Sequence, residues 1–328
     1  MKRILILTLT ALVFGLFDTQ AEAKNNKIDE LKIKRLVSQM DKYSNEHSVK
    51  KLKTIYSPDF KSGDGFDFNE FFSLVETTFT SYSNIKYSVK IKKIDIEGDA
   101  AQAALFDRTT GVLATKNENG LTFGDLAGDC DYLIYLKKIG GKWLITGDYI
   151  ISEKTSLKYG DARDIKMEIS APEKVNLGDE YSIILQMERP KDIFVIAALA
   201  NEEIVIPLSH SEEIFRKLSS DGELERIVQA NTSGKNEYAV ASVGFTKLKL
   251  GDDLASIKFQ MSGLAFLMSR VNTKPLEEII KKTVLEEAPQ VEEVSEAKET
   301  PEVQEAPEVK TDKEEPIKES EKEPAAVQ

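Results

Sequence analysis

The chain has 328 residues and carries 44 lysines and arginines against 56 aspartates and glutamates, a formal net charge of −12. An acidic balance without a basic cluster excludes electrostatic binding to nucleic acid or to an anionic membrane surface. The single cysteine, Cys130, excludes an internal disulfide, so each folded region has to be stabilised by its own core.

The amino terminus has the pattern of a secretory signal peptide over residues 1–23. Lys2 and Arg3 precede an apolar run, and Ala21-Glu22-Ala23 fits the small-residue cleavage site that follows such runs. The apolar run is shorter than the roughly 20 residues of a membrane span. The pattern predicts an exported protein, periplasmic or secreted and soluble after cleavage, with an uncleaved anchor as the alternative.

Helical periodicity follows in a first zone, residues 27–153. Asp67 and Glu70 have the spacing of a capping box in front of an aromatic stripe, which predicts a helix that packs on a sheet. Apolar residues recur at helical spacing in three stretches: Ile33, Leu36, Val37 and Met40; Val49, Leu52 and Ile55; Phe68, Phe71, Phe72, Val75 and Phe79.

The apolar period changes to two after this helix, which predicts strands. The alternation from Ile85 slips by one residue at Lys92-Lys93, as a β-bulge does, and bulges bend sheets. Gly98-Asp99 predicts a turn between strands. Gly140-Gly141 predicts a hairpin whose second strand carries the only tryptophan of the chain, Trp143.

Helices followed by a bent antiparallel meander resemble the nuclear transport factor 2-like proteins. The residues that carry the resemblance are Ser57-Pro58-Asp59-Phe60, Gly98-Asp99 and Gly141-Lys142-Trp143-Leu144-Ile145. The resemblance implies an α+β fold over 27–153, a cystatin-like cone with helices on a curved antiparallel sheet. Some members are isomerases, cyclases or dehydratases that use a carboxylate base and a phenol or acid donor inside the cone.

The resemblance supplies candidate site residues for an enzyme. Asp64 and Asp107 would be the carboxylates, and Tyr43 and Tyr56 the hydroxyl donors. Each has a plain alternative: Asp64 lies in a Ser-Gly-Asp-Gly turn, both tyrosines sit at core-packing positions, and Asp107 can pair with Arg108 at the surface. Because the sequence names no donor within hydrogen-bond reach of a base, no residue is assigned as catalytic.

Ligand binding without catalysis has its own candidates in this zone. The aromatic residues expected to contact a small apolar ligand are Tyr56, Tyr87 and Trp143.

Neither a metal site nor a cofactor site is predicted. The two histidines, His47 and His210, have no ligand partners at metal spacing. Asp125, Asp129 and Asp131 fail the EF-hand pattern and are better explained as a solvated turn. Cys130 lies between Asp129 and Asp131, which disfavour its thiolate, so a small strand residue is expected rather than a nucleophile.

A second zone, residues 163–274, alternates in short runs separated by turn signals. About seven short strands of this kind predict a β-sandwich. The segment from Val175 to Ile183 resembles the opening strands of immunoglobulin-like domains, and Tyr238 is a candidate for their corner tyrosine. The cysteine pair of antibody domains is absent from the sequence.

The tail, residues 276–328, has a composition that cannot form a core. It contains 17 acidic and 7 basic residues, no aromatic residue and no glycine. Such a composition cannot bury enough apolar surface to offset the entropy of ordering the chain. We expect a disordered acidic tail, apart from a short helix that Leu276, Ile279, Ile280 and Val284 could form.

The sequence therefore favours an exported bacterial protein that binds without catalysis. In this hypothesis the first zone binds a small apolar ligand or forms a homodimer through its sheet, and the sandwich binds a protein or cell-wall partner. One alternative is an isomerase or lyase that acts on a small hydrophobic substrate in the cone. The other is a structural component of the cell envelope.

Overall fold

A computed structural model describes residues 26–82, 84–117, 120–205, 213–250 and 257–273. The predicted signal peptide and tail lie outside these ranges, and both stay predictions. Across the described ranges, no helix combines the length and the apolar character that a membrane span requires.

The helices lie near the amino terminus, as their periodicity predicts. Helix α1 spans residues 26–45, α2 spans Val49–Leu52 and is followed by a 3₁₀ turn at Lys53–Ile55, and α3 spans Phe68–Ser81. The predicted capping box of α3 is confirmed. The Asp67 carboxylate accepts bonds from the backbone N–H of Asn69 and Glu70 at 2.8 and 2.9 Å, and Glu70 accepts from the N–H of Asp67 at 3.0 Å.

Most of the described chain is β-structure in two sheets. The main sheet has the order β2-β3-β4-β5-β12-β11-β8-β9, with β1 paired parallel to β5, and the small sheet has the order β10-β7-β6. The strands are β1 Tyr56–Lys61, β2 Lys86–Glu97, β3 Ala100–Asn117, β4 Gly120–Ile139, β5 Lys142–Gly160, β6 Met167–Ser170, β7 Glu180–Met187, β8 Phe194–Glu203, β9 Arg216–Lys217, β10 Glu223–Gln229, β11 Glu237–Leu250 and β12 Ile257–Val271. A 3₁₀ turn at Asp161–Asp164 follows β5.

Two local predictions in the first zone are confirmed. The register of β2 against β3 shifts between Ile91 and Lys93, at the predicted bulge. Gly140 and Gly141 connect β4 to β5 with φ of 57° and 78°, a geometry that two-residue hairpins require and glycine adopts without strain.

Strand β5 continues past the end of the first predicted zone to Gly160 and pairs with strands of both zones. Its first half lies between β4 and β1, and its second half pairs with β12 from Lys154 to Gly160. The main sheet therefore continues from the first zone into the second, where β12, β11 and β8 extend it.

Two hydrophobic cores lie on opposite faces of the main sheet. In the first, α1 and α3 pack on the inner face of β2–β5 through residues such as Ile33, Phe72 and Leu105. In the second, the small sheet packs on the outer face of β8, β11 and β12 through residues such as Ile183 and Val243. The second core thus lies between two sheets, while the predicted sandwich domain of residues 163–274 and its immunoglobulin-like character stay predictions.

The corner-tyrosine assignment of Tyr238 is wrong. A corner tyrosine donates to nearby backbone, whereas the Tyr238 hydroxyl donates to the side chain of Glu153 on β5 at 2.8 Å. The two residues are 85 positions apart, so only the pairing of distant strands brings them together.

A buried ion pair fixes the loop before α3 to the end of β12. The Arg270 side chain is 0% exposed and that of Asp64 10%. One guanidinium nitrogen, Nη1, lies 3.2 Å from Asp64 Oδ2, and Nη2 bonds Oδ1. Asn236 donates to Asp64 at 2.8 Å, and Arg270 Nε donates to Asn272 Oδ1 at 2.8 Å. Every charged atom of this junction is therefore matched, as burial requires.

Removing one partner of this ion pair should destabilise the fold. Asp64→Ala leaves the guanidinium buried without its counter-ion, so we expect a loss of about 3 kcal/mol in the free energy of unfolding. Urea denaturation measures it. Asp59→Ala, at an exposed position of β1, is the matched control and should change stability by about 0.5 kcal/mol or less. Equal small losses in the two variants would contradict a stabilising role of the pair.

Candidate functional site

A line of polar side chains crosses the inner face of the main sheet. Asp107 lies opposite Cys130, Cys130 opposite Glu153, and Arg270 opposite Tyr238. Since Ser269 pairs with Lys154, the antiparallel ladder places Arg270 beside Glu153. Directly opposed residues of paired strands point to the same face. We call Asp107, Cys130, Glu153, Arg270 and Tyr238 the polar row.

The polar row continues an apolar wall of the helix-facing core. Ala103 and Leu105 precede Asp107 with the strand period of two, and both are buried in the first core. Tyr132 lies opposite Leu105, and Asp148 lies opposite Ile134. Except for the buried Arg270, the row and these two neighbours are only half-buried. One part of the inner face is therefore a buried apolar core, and the adjoining part is partly exposed and carries ionisable groups.

Asp107 combines a raised pKa with an accessible position. Burial raises the pKa of this carboxyl to about 6, and the negative charges of Asp41 and Asp129 act in the same direction. The backbone N–H of Ser88 donates to its Oδ1 at 3.1 Å and partly offsets the rise. At neutral pH this carboxylate is mostly ionised, but it can take up a proton within about one pH unit.

The pKa of Asp148 is raised further than that of Asp107. Burial raises its pKa to about 7, a bond from the N–H of Gly63 at 3.2 Å lowers it, and the charge of Asp64 raises it. A side chain at position 63 would approach the carbonyl of residue 148 to 3.0 Å, so glycine lets the loop come this close. The loop that carries Asp64 therefore also covers Asp148.

Glu153 shares the environment of Arg270. Burial raises the pKa of Glu153, while the hydroxyl bond from Tyr238 and the charge of Arg270 lower it. Because Arg270 already pairs with Asp64, it neutralises the other carboxyls of the row only in part.

Three tyrosines stand near these carboxyls. Burial raises the pKa of Tyr132 well above its ordinary value, with the charge of Asp107 as the next cause. Burial raises the pKa of Tyr87 to about 12, again with a contribution from Asp107. Burial and then Asp148 raise the pKa of Tyr56. All three hydroxyls therefore keep their protons at neutral pH and can donate hydrogen bonds.

The structure places the two predicted carboxylates, Asp64 and Asp107, in different environments. Asp64 is engaged by Arg270 and Asn236, so the structure gives it a structural ion pair and not the position of a free base. Asp107 does not pair with Arg108, which instead makes a two-bond ion pair with Asp129 at 2.8 and 3.1 Å. Neighbouring strand residues point to opposite faces, and Asp107 is on the inner one.

The predicted tyrosines lie among apolar groups. Tyr43 on α1 packs against the first core, and Lys51 Nζ lies 5.7 Å from its ring. The ring of Tyr56 contacts Phe60, Phe71 and Phe72 with centroid separations of 5.2 to 5.5 Å, and its hydroxyl reaches Met40 Sδ at 3.7 Å.

Of the two remaining ligand-binding candidates, Tyr87 is half-buried on β2, whereas Trp143 is buried in the first core. Tyr87 on β2 is half-buried and packs edge-on against Phe79 at 6.3 Å. Trp143 is 5% exposed inside the first core, with Lys138 Nζ 5.8 Å from its ring. The structure thus gives Trp143 a packing role, and its contact with a ligand stays a prediction.

The acidic trio of β4 is not a solvated turn. Asp125, Asp129 and Asp131 lie inside β4, and their carboxylates pair with Arg163, Arg108 and Lys92 respectively. Among the described residues, no group of three or more potential ligands could hold a metal ion. Burial and then Glu153 raise the pKa of the Cys130 thiol, which disfavours the thiolate.

Sequence reasoning missed Asp148, Glu153 and Arg270 as members of the site. Asp148 and Glu153 lie on β5, in or just beyond the hairpin that the sequence marks clearly, but nothing local separates them from surface carboxylates. A signal was available only in part: the β4–β5 hairpin register, extended from its turn, would place Ile151 opposite Cys130, and only two register shifts along the strands bring Glu153 there.

No protein-family model matches the chain, and no curated protein matches it. Solved structures match over part of its length. Bd1075 from Bdellovibrio bacteriovorus shares 18% identity over 36% of this chain and 38% of its own, with a TM-score of 0.28. A nuclear transport factor 2-like protein from Cytophaga hutchinsonii shares 14% identity over 36% of this chain and 93% of its own, with a TM-score of 0.28.

A third match is the hexachlorocyclohexane dehydrochlorinase LinA-type3 from Novosphingobium barchaimii. It shares 14% identity over 38% of this chain and 86% of its own, with a TM-score of 0.31. The chain spans well under half the length of Bd1075. Nuclear transport factor 2-like proteins are thus among the structures similar to this chain, as the resemblance of residues 27–153 predicts.

The raised pKa of Asp148 predicts a pH dependence of stability. The native carboxyl holds its proton up to about pH 7, whereas the unfolded one releases it near 3.8. The native state therefore binds more protons between these values, and stability falls as the pH rises through this window. Asp148→Asn cannot ionise and keeps an acceptor for Gly63.

We expect Asp148→Asn to raise the free energy of unfolding at pH 8 by roughly 1–2 kcal/mol and to leave it nearly unchanged at pH 4. Urea denaturation at the two values measures this. Asp95→Asn, at an exposed position of β2, is the control and should not flatten the pH profile. Equal pH profiles of Asp148→Asn and the unsubstituted protein would contradict the assignment.

Proposed function

We propose that the inner face at the polar row binds a small ligand with an apolar body and a hydrogen-bond donor. The observation that supports this most strongly is the position of Asp107, a half-buried carboxylate that follows the buried apolar residues Ala103 and Leu105 along β3. A carboxylate at this position loses part of its hydration, and packing alone does not compensate for that loss of free energy. Ligand sites commonly combine apolar walls with a few convergent polar groups in this way.

The walls and the charge define the class of ligand. Tyr87 and Tyr132 offer aromatic surface beside Asp107. Carboxylates outnumber cations along the row, since Arg270 is held by Asp64. An anionic ligand would meet repulsion here, and a neutral or cationic donor would be attracted.

Three probes of equal shape test this selectivity: benzyl alcohol, benzylamine and benzoate. We expect the alcohol and the amine to shift the backbone amide resonances of β3 and β4 near Asp107 and Cys130, with millimolar affinity, and benzoate to leave them unchanged. NMR titration of the full chain measures this.

The Asp107→Asn variant supplies the specificity control. It should weaken the amine at least fivefold, while Asp95→Asn on the same sheet should not. Binding of benzoate as tight as that of the alcohol, or no response to any probe, would contradict the proposal.

Proton transfer is the second candidate, as in an isomerase or lyase. It is favoured by the pairing of a base with a donor: Asp107 is mostly ionised at pH 7, and its charge acts on the protonated hydroxyl of Tyr132. A base with a pKa near the working pH and a nearby phenol are what removal of a proton beside a carbonyl needs.

Hydrogen–deuterium exchange of 2-indanone, an enolisable aromatic ketone, tests this candidate in deuterated buffer. We expect an acid–base site to accelerate exchange, with a loss of about 100-fold or more in Asp107→Asn. Tyr132→Phe should lose less, because it removes the donor and leaves the base. Exchange at the rate of buffer alone would leave binding as the function.

The binding partners and the cellular location are proposed from the sequence alone. The amino-terminal pattern of residues 1–23 supports export. A protein or cell-wall partner for the second zone, dimerisation through the sheet of the first zone, and a structural role in the envelope stay predictions.

A further inference from the structure

Strand β6 has one unpaired edge. It is the last strand of the small sheet and pairs only with β7 among the strands that the structure describes. The N–H of Glu188 donates to the carbonyl of Lys166 at 3.0 Å. Antiparallel ladders alternate, so Glu168 and Ser170 also direct their backbone groups to β7, whereas Met167 and Ile169 direct theirs to the open edge. This edge can pair with one more strand.

The open edge of β6 lies along a cleft of about 560 Å³. The cleft separates β6 from the outer face of the main sheet, on the side opposite the polar row. Phe106 on β3, Asp129 on β4 and Lys154 on β5 line its floor, and Met167 and Glu168 its wall. Its volume is within the usual range of ligand sites.

The cleft has the dimensions of one extended chain. Packed sheets stand about 10 Å apart, and paired strands about 4.8 Å. A strand added beside β6 would therefore lie over β4 and β5 and extend the small sheet across the uncovered part of the outer face. An extended main chain is the ligand that satisfies a row of alternating N–H and C=O groups.

The charges of the cleft select the occupant. Four acidic side chains line it on this face, Asp129, Asp131, Glu168 and Glu173, against Arg108 and Lys154 in the lining and Lys92, which pairs with Asp131. The side chains of the ion pair between Lys154 and Glu168 are 57% and 70% exposed, respectively. An ion pair this exposed contributes little to stability, so a guest cation can replace Lys154. The tail of this chain is itself acidic and is a poor electrostatic match.

We propose that the open edge of β6 binds an extended basic segment of a partner polypeptide by strand addition. The backbone groups of Met167 and Ile169 supply the hydrogen bonds, and Glu168 with Asp129 and Asp131 supplies the preference for lysine or arginine. The side chains of Glu168, Asp129 and Asp131 are not members of the polar row, although Cys130, Glu153 and Arg270 of the row also border the cleft.

Four labelled peptides test the proposal against the full chain by fluorescence anisotropy. The first is Thr-Lys-Val-Lys-Val-Lys-Thr, and the second replaces each lysine by glutamate. The third and fourth are the basic peptide with N-methyl groups on one or the other set of alternate residues. We expect the basic peptide to bind at least tenfold tighter than the acidic one. Methylation of one alternating set should abolish binding, and methylation of the other should not, because only one edge of the guest strand faces β6.

Amide exchange and a charge variant locate the bound strand. The basic peptide should slow hydrogen exchange at the N–H of Met167 and Ile169 at least tenfold. Glu168→Lys should weaken binding at least fivefold, and Glu97→Lys on the exposed β2 edge should not. Equal binding of both charges, indifference to methylation, or protection at β2 in place of β6 would overturn the proposal. Absence of peptide binding by the full chain would overturn it as well, whether the cleft is closed by the chain's own tail or simply has no affinity.

Discussion

The continuity of β5 is the constraint on which the rest of the structure depends. This strand of 19 residues has three neighbours: β4 along its length, β1 beside its first half and β12 beside its second. Glycines stand where neighbours approach most closely. A Cβ at Gly147 would lie 2.9 Å from the carbonyl of Lys61, and one at Gly160 would clash with the backbone of Ser262. Strand β5 thus fixes the register of the neighbouring strands that line both cores.

The same continuity makes the polar row possible. Because β12 pairs with the second half of β5, Arg270 arrives beside Glu153 on the inner face, and the loop before α3 brings Asp64 to it. A buried guanidinium requires a counter-ion, and Asp64 is the counter-ion of Arg270. Glu153, Asp148 and Asp107 are then left with incomplete compensation, which is why burial raises the pKa of each. Stability and candidate chemistry therefore originate in one network.

Local features were predictable from the sequence wherever local physics decides them. The capping box at Asp67, the bulge at Lys92-Lys93 and the hairpin at Gly140-Gly141 each depend on a few adjacent residues, and each was found as predicted. Asp107 was a candidate through the resemblance, on a strand that the alternation from Ala101 predicts. The resemblance added the order of helices and meander, which agrees with α1, α3 and β2–β5.

Features that join distant parts of the chain were not predictable in this way. Arg270 and Asp64 are 206 positions apart, and Tyr238 and Glu153 are 85 apart. No periodicity connects such residues, because their contact depends on which strands become neighbours. Asp64, a carboxylate named only for the enzyme alternative, is held by Arg270, and the hydroxyl of Tyr238 donates to Glu153 rather than to nearby backbone.

The sequence by itself determined the helices, the bend and turns of the meander, and the acidic composition of residues 276–328. These follow from hydrophobic period, turn chemistry and composition, all of which act over short stretches. Only the tertiary structure decided that one strand serves both zones, that Asp107 faces the core side, and that β6 keeps an open edge over a cleft. Strand order and burial decide those points, and both come from long-range packing whose free energy no local pattern encodes.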